Sequence, residues 1–237
     1  MKKQKTKQYL ILGILFFLPV TFLLFLYPAK HNYTPLDTVK TQIEELRDFA
    51  GNPENIALTN HITVVGFLGK NPLDNAVAAS NIKELVYDKF KGFKTFQIVM
   101  LAPLGAEAQA QKLHEEIGRY EPLNYWHYVY GSEAQIKAFY ASLSTKENLN
   151  ENLYTPQIFI VDKELNQRGR QDDRNKKEVK LDKPQVYLPS YNAIEVAEIK
   201  NKFGEDLRVL FTEYRQKRKG DFDSTQRREN DIKPDHE

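Results

Sequence analysis

With no cysteine in 237 residues, any metal or redox chemistry of this chain must come from side chains other than thiols. Disulfides, a thiol redox centre and a thiolate metal site are excluded. The histidines, His31, His61, His114, His127 and His236, are scattered along the sequence. His61 and His127 come near one another if their strands are neighbours. Two imidazoles without acid support make a weak ligand set, and each otherwise reads as a solvated or core-edge side chain. Asp172 and Asp173, beside Arg170 and Arg174, read as a self-neutralising surface rather than a cation site. No Ser-His-Asp set, phosphate-cradling loop or paired-carboxylate arrangement is present. Tyr125, Trp126, Tyr128 and Tyr130 alternate along one segment and read as strand packing rather than a carbohydrate platform.

One stretch does have the form of a site. Phe67-Leu68-Gly69-Lys70-Asn71-Pro72-Leu73-Asp74-Asn75 lies between a β-branched apolar run, His61 to Phe67, and a helix-period segment, Ala76 to Lys91. A strand entering a tight loop and then a helix is where ligand chemistry commonly sits on an α/β sheet. Here the loop carries no thiol, no histidine and a single carboxylate, Asp74. It is a framework without its chemistry. Two readings stay open for Asn71-Pro72 and Asn75: an ordinary strand-to-helix turn with Asn71 or Asp74 as N-cap, or a retained docking face.

Around that stretch, composition and patterning set the elements. A formal charge of +2 argues against nucleic acid as the main partner. Residues 2 to 7 hold four lysines, and Tyr9 to Tyr27 follow without a charge. At about 1.5 Å per residue that run spans about 29 Å, the thickness of a bilayer core. The lysines in front place the N-terminus in the cytoplasm and the remainder outside it. A cleaved signal peptide is the competing reading, but no small-x-small site follows Tyr27. The absence of cysteine excludes a lipid anchor on an N-terminal cysteine, so any membrane tether must be the polypeptide itself. The expected organisation is a basic N-terminus at 1–8, a transmembrane helix at 9–27, a stalk and domain edge at 28–54, a domain at 55–215 and a charged, disordered tail at 216–237.

Ile62 to Leu68 reads as a buried central strand. Ile82, Leu85, Val86 and Phe90 form one helical face. Phe96 to Leu101 is a second core strand closed by Ala102-Pro103, and Ala106, Ala110, Leu113, Ile117 and Tyr120 mark a second helix. Asn124 to Tyr130 is an aromatic strand ended by Gly131. Ser132 with Gln135 gives a capping box before a helix facing inward through Ile136, Phe139, Tyr140 and Leu143. After a loop at 148–152, a strand Gln157 to Val161 is entered through Tyr154-Thr155-Pro156. It pairs as a hairpin with Leu165 to Arg170. Arg168 to Lys183 reads as an exposed charged excursion. Val196, Ile199, Phe203, Leu207, Leu210 and Tyr214 step along a final helix, Ala193 to Arg215. This order requires parallel crossovers early and an antiparallel hairpin late.

Two segments carry a family resemblance. Trp126-His127-Tyr128-Val129-Tyr130-Gly131-Ser132-Glu133-Ala134-Gln135-Ile136 and Ile160-Val161-Asp162-Lys163-Glu164-Leu165-Asn166-Gln167-Arg168-Gly169-Arg170 resemble a strand, Gly-Ser, helix-start segment and a late hairpin of the Sco/SenC family. With the element order, the resemblance covers about residues 55–215. It implies an α/β, thioredoxin-like fold, a central mixed sheet flanked by helices, behind one transmembrane helix. It also implies a setting in cytochrome c oxidase assembly on the periplasmic side. In that family a Cys-Pro-x-x-Cys loop and a distant His bind copper. Laid on this chain, the loop is Asn71-Pro72-Leu73-Asp74-Asn75, the His position falls on Tyr154, and an expected Asp falls in Ala102-Pro103-Leu104. An amide is a poor ligand for copper(I), and a phenol ordinarily titrates near about 10. Pro156 takes the place where thioredoxin-like folds often hold a cis proline; from sequence alone a trans bond is favoured.

The expectation is therefore a non-enzymatic accessory with no cofactor. It would partner the membrane through its own helix, and oxidase-assembly proteins or another Sco-type protein through a docking face. That face would comprise Leu68, Asn71, Pro72, Leu73, Asn75, Tyr154 and Pro156. The rivals are a metal carrier using His, Asp and Asn, and a thioredoxin-like enzyme with chemistry other than cysteine.

Overall fold

The computed structural model describes residues 2–26, 34–52 and 54–219. The chain divides into two units, Met1–Thr34 and Pro35–Glu237. His31, His236, Tyr27, the start of the expected stalk and residues 220–237 of the expected tail lie outside the described residues.

The first unit is helix α1, Lys2–Leu26, which continues through Pro19. Its large apolar side chains between Ile11 and Phe25 are 45% to 83% exposed, with no face set apart. Among the described residues, no helix is long and apolar enough to cross a membrane.

The second unit is built on a mixed sheet. Its strands are β1 (Asp37–Lys40), β2 (Ile62–Leu68), β3 (Phe96–Pro103), β4 (Trp126–Gly131), β5 (Tyr154–Val161), β6 (Gln167–Gly169) and β7 (Tyr191–Asn192). They run in the order β1-β6-β5-β2-β3-β4, with β7 pairing off that path against β5. β2 pairs parallel to β3 and β3 parallel to β4, while β5 runs antiparallel to both β2 and β6. β2 and β3 are buried at every position because they hold no charge and both faces are covered.

Alternate residues serve two cores. Val64, Ile98 and Met100 face a layer of helices: α2 (Ala76–Ile82, continued by a wide turn Lys83–Tyr87 and Asp88–Phe90), α3 (Glu107–Ile117) and α6 (Val196–Glu198, Ile199–Phe203, Gly204–Lys219). A short helix α5 (Lys176–Lys180) lies in the charged segment between β6 and β7. Val65, Phe67 and Leu101 face α4 (Glu133–Ser142) together with Ile43, Leu46 and Phe49. The segment before residue 55 thus contributes an edge strand and part of a core.

Several local expectations hold. Ser132 and Gln135 form a reciprocal capping box, and Ile136, Phe139, Tyr140 and Leu143 are buried. Others are corrected. The second helix stops at Gly118, and Tyr120 is 90% exposed. The inner face of α6 starts at Ile199, with Phe211 added to it and Val196 left outside. β5 begins at Tyr154, and Pro156 sits inside it with a trans peptide bond. The largest correction concerns Arg168 to Lys183. Arg168 is buried in β6 and paired with Asp162 and Glu213. Arg170 turns inward onto Asp206 while keeping a longer 3.7 Å contact with Asp173, and Asp172 pairs with Arg174. Charge density suggested a solvated loop, but the counter-charges come from distant elements. Exposure is concentrated in the later part, which includes Val179 and Leu181.

Candidate functional site

The carboxyl end of β2 is where the fold brings the singled-out residues together. Leu68 lies opposite Tyr154 and Phe67 opposite Thr155 in the β2–β5 register. Gly69 follows with φ 72°, and the Lys70 amide donates to the Asn152 carbonyl at 2.8 Å. The loop therefore folds against the entry of β5, and Asn71, Asn75 and Tyr154 share one end of the sheet.

Each side chain then has a particular environment. Pro72 opens a single tight helical turn, Pro72–Asn75, and is buried. Neither Asn71 nor Asp74 caps a helix through its side chain, which corrects the expectation. Asn75 Nδ2 instead donates back to the Leu68 carbonyl at 2.9 Å, tying the helix start to the strand end. Asn71 Oδ1 accepts from Gln109 Nε2 of α3 at 3.4 Å. Leu68 is 2% exposed, so it cannot belong to a docking face. Burial at Pro72 removes that residue too. Leu73 and Tyr154, both half-buried, keep part of their surface, and exposed Val77 lies one helical turn beyond Leu73.

The chemistry available there is slight. Two amides neither gain nor lose a proton near neutrality. Burial pushes the Tyr154 phenol above its ordinary range, further from the phenolate a metal would need. Lys70, Leu104 and Glu133, which sequence reasoning missed, line a shallow cleft of about 300 Å3 beside the loop. Lys70 Nζ meets Glu133 Oε1 at 2.7 Å across it, and the Lys70 hydrogen bond holds that carboxyl below the usual range. The tendency of α/β sheets to bind at the carboxyl ends of parallel strands could have indicated this cleft.

The histidine readings resolve separately. β3 lies between β2 and β4, so His61 and His127 are not on neighbouring strands, yet the two imidazoles are close enough to interact electrostatically. His127 Nδ1 is 3.6 Å from Glu54, and His61 Nδ1 is 3.1 Å from the Thr59 carbonyl. Among the described residues there is no group of three His, Cys, Asp or Glu able to hold a metal ion. Trp126 is buried against Tyr87, Tyr128 packs on His114, and Tyr125 is 38% exposed, so these aromatics do not form one flat platform.

Burial lowers the pKa of both His114 and His127, more than Glu54 raises that of His127. The unfolded chain then binds more protons than the folded one just below the ordinary imidazole value of about 6.5. Stability should be fully present above that value and fall as pH drops toward the folded pKa values. NMR titration of the two imidazoles should give midpoints below that of a model histidine; midpoints above it would reverse the sign.

Strand order, pairing and the two helical layers define the fold as thioredoxin-like α/β. No protein-family model matches the chain, and no curated protein matches it in sequence. Among solved structures, the chain is similar to a SCO1/SenC family lipoprotein from Bacillus anthracis str. Ames, at 13% identity and TM-score 0.49, covering 74% of this chain and 97% of that one. It is similar to BsSco, a member of the Sco family of cytochrome c oxidase assembly proteins, at 13% identity and TM-score 0.46, covering 73% and 94%. A putative protein disulfide isomerase from Bacteroides thetaiotaomicron aligns at 10% identity and TM-score 0.41, covering 75% and 91%. The strand order and pairing, not these likenesses, carry the fold assignment.

Proposed function

We propose that this protein is a membrane-anchored, Sco-like accessory in cytochrome c oxidase assembly that performs neither copper nor thiol chemistry. One observation carries the reading. The three positions at which the Sco/SenC resemblance expects two thiolates and an imidazole hold Asn71, Asn75 and Tyr154, gathered at the carboxyl end of β2. Copper(I) prefers soft thiolate and imidazole ligands. Here Asn75 is committed to the Leu68 carbonyl, and the Tyr154 phenol is held protonated by burial. What remains is a surface, with Leu73 and Tyr154 as apolar contacts for an oxidase-assembly protein or another Sco-type protein. Anchoring is supported by the uncharged run Tyr9 to Tyr27 behind a lysine block in the sequence. The domain then lies on the periplasmic side.

The test is copper(I) titration of the full-length chain in neutral detergent against a competing chelator. No stoichiometric binding is expected. Tight one-to-one binding that is lost in Asn71→Ala would overturn the proposal, because the loop would then be a working metal site. Protease added to spheroplasts should digest the domain, and full protection would reject the assigned topology.

A further inference from the structure

A second cleft lies at the other end of the sheet. Ile62 and Thr95 stand at the amino-terminal starts of β2 and β3, about 20 Å from the Asn71–Asn75 turn at about 3.3 Å per strand residue. With Phe93, Phe211, Tyr214 and the β5–β6 turn they enclose a half-open space of about 400 Å3. That is within the range of small-molecule sites.

The lining has two parts. Its floor is apolar and aromatic: Phe93 stacks on Phe211 with ring centroids 4.1 Å apart and planes 18° from parallel. The rim is cationic, with Lys163, Arg215, Lys217 and Arg218 facing one carboxylate, Glu164. That carboxylate accepts the Tyr214 hydroxyl. Lys163 and Lys217 lie over the Tyr214 ring, at 5.4 and 4.9 Å from its centroid, and Lys217 also meets Glu213 at 3.0 Å. Arg215 and Arg218 are exposed and make no hydrogen bond or ion pair among the described residues. Two guanidinium groups at the mouth of an aromatic cleft are suited to a phosphate, which they bind bidentately. Half-buried Phe93, packed on the buried Phe211, is the aromatic surface left to meet a planar ring.

We propose that this cleft binds a phosphate-bearing small molecule with a planar aromatic ring, the chemistry of a mononucleotide. A bilayer headgroup layer would meet the rim but would not fill the concave aromatic floor. This site is independent of the function proposed above.

The experiment is calorimetric titration of the full-length chain in neutral detergent with ADP, adenosine and inorganic phosphate. A parallel arm uses micelles doped with phosphatidylglycerol. ADP should bind at one site, with adenosine and phosphate each at least tenfold weaker. Arg215→Ala plus Arg218→Ala should weaken ADP at least tenfold. Lys200→Ala plus Arg208→Ala removes the same charge elsewhere on the surface and should leave ADP binding unchanged. No heat with ADP at millimolar concentration, an equal loss in both double variants, or an interaction with phosphatidylglycerol alone would each overturn the proposal.

Discussion

Arg168→Ala is expected to lower the unfolding free energy by about 3–5 kcal/mol, the usual cost of removing one partner from a buried ion pair. The side chains of Arg168, Asp162 and Glu213 are 6%, 2% and 2% exposed. The guanidinium reaches Asp162 at 3.1 Å, Glu213 at 2.8 Å and the Leu36 carbonyl at 2.7 Å. It therefore joins the β5–β6 hairpin, α6 and the segment entering β1. Alanine leaves two carboxylates facing each other in a nearly dry site, with only Lys217 at its edge. Arg208→Ala is the control: its pair with Glu205 is 59% exposed on both sides and should contribute no more than about 1 kcal/mol. Urea denaturation followed through the single, buried Trp126 measures both variants. A difference between them below about 1 kcal/mol would mean that the pairing does not hold the helix to the sheet.

This cluster also shows where the sequence stops being legible. β2 and β3 can be read directly, because a strand covered on both faces must be apolar and uncharged along its length. The capping box at Ser132 is equally direct, being local. Arg168 is different. Its partners lie 6 and 45 residues away, and nothing in the spacing says that they meet. A dense run of charge is ordinarily solvated, and only the fold brings the counter-charges Asp162 and Glu213 to Arg168. β1 is hidden for another reason: Asp37–Lys40 is short and polar, an edge strand specified by its partner β6.

The candidate site was legible in position but not in its surface. Strand, loop and helix fix where the turn lies, and the β2–β5 register brings Tyr154 to it. Which atoms remain available depends on burial. Leu68 belongs to a strand with both faces covered, so it is lost to solvent, while Asn75 turns its amide inward. The cleft lined by Phe93, Lys163, Phe211 and Arg215 has no sequence signature, since its walls come from separate elements that only the fold assembles.

Gly69→Ala should be the most damaging single methyl added near the turn, costing about 2–4 kcal/mol. Part of that cost is the left-handed backbone. At φ 72° a side chain crowds the following carbonyl, at about 1–2 kcal/mol for an L-residue. The rest is a collision. A Cβ on Gly69 would lie 2.6 Å from the Asn152 carbonyl oxygen and 2.9 Å from Tyr154 Cβ. The carbonyl cannot retreat freely, because it accepts the Lys70 amide at 2.8 Å. Relief must come from moving the loop away from β5, which separates Asn71 and Asn75 from Tyr154. Gly92→Ala is the matched control, having no atom within 4 Å of its added Cβ and no positive φ. Denaturation of the two variants should differ by more than about 1.5 kcal/mol, and only Gly69→Ala should shift the Tyr154 ring resonances. Equal stability of the pair would show that the loop does not need this close approach, and the juxtaposition of the turn with Tyr154 would lose its physical basis.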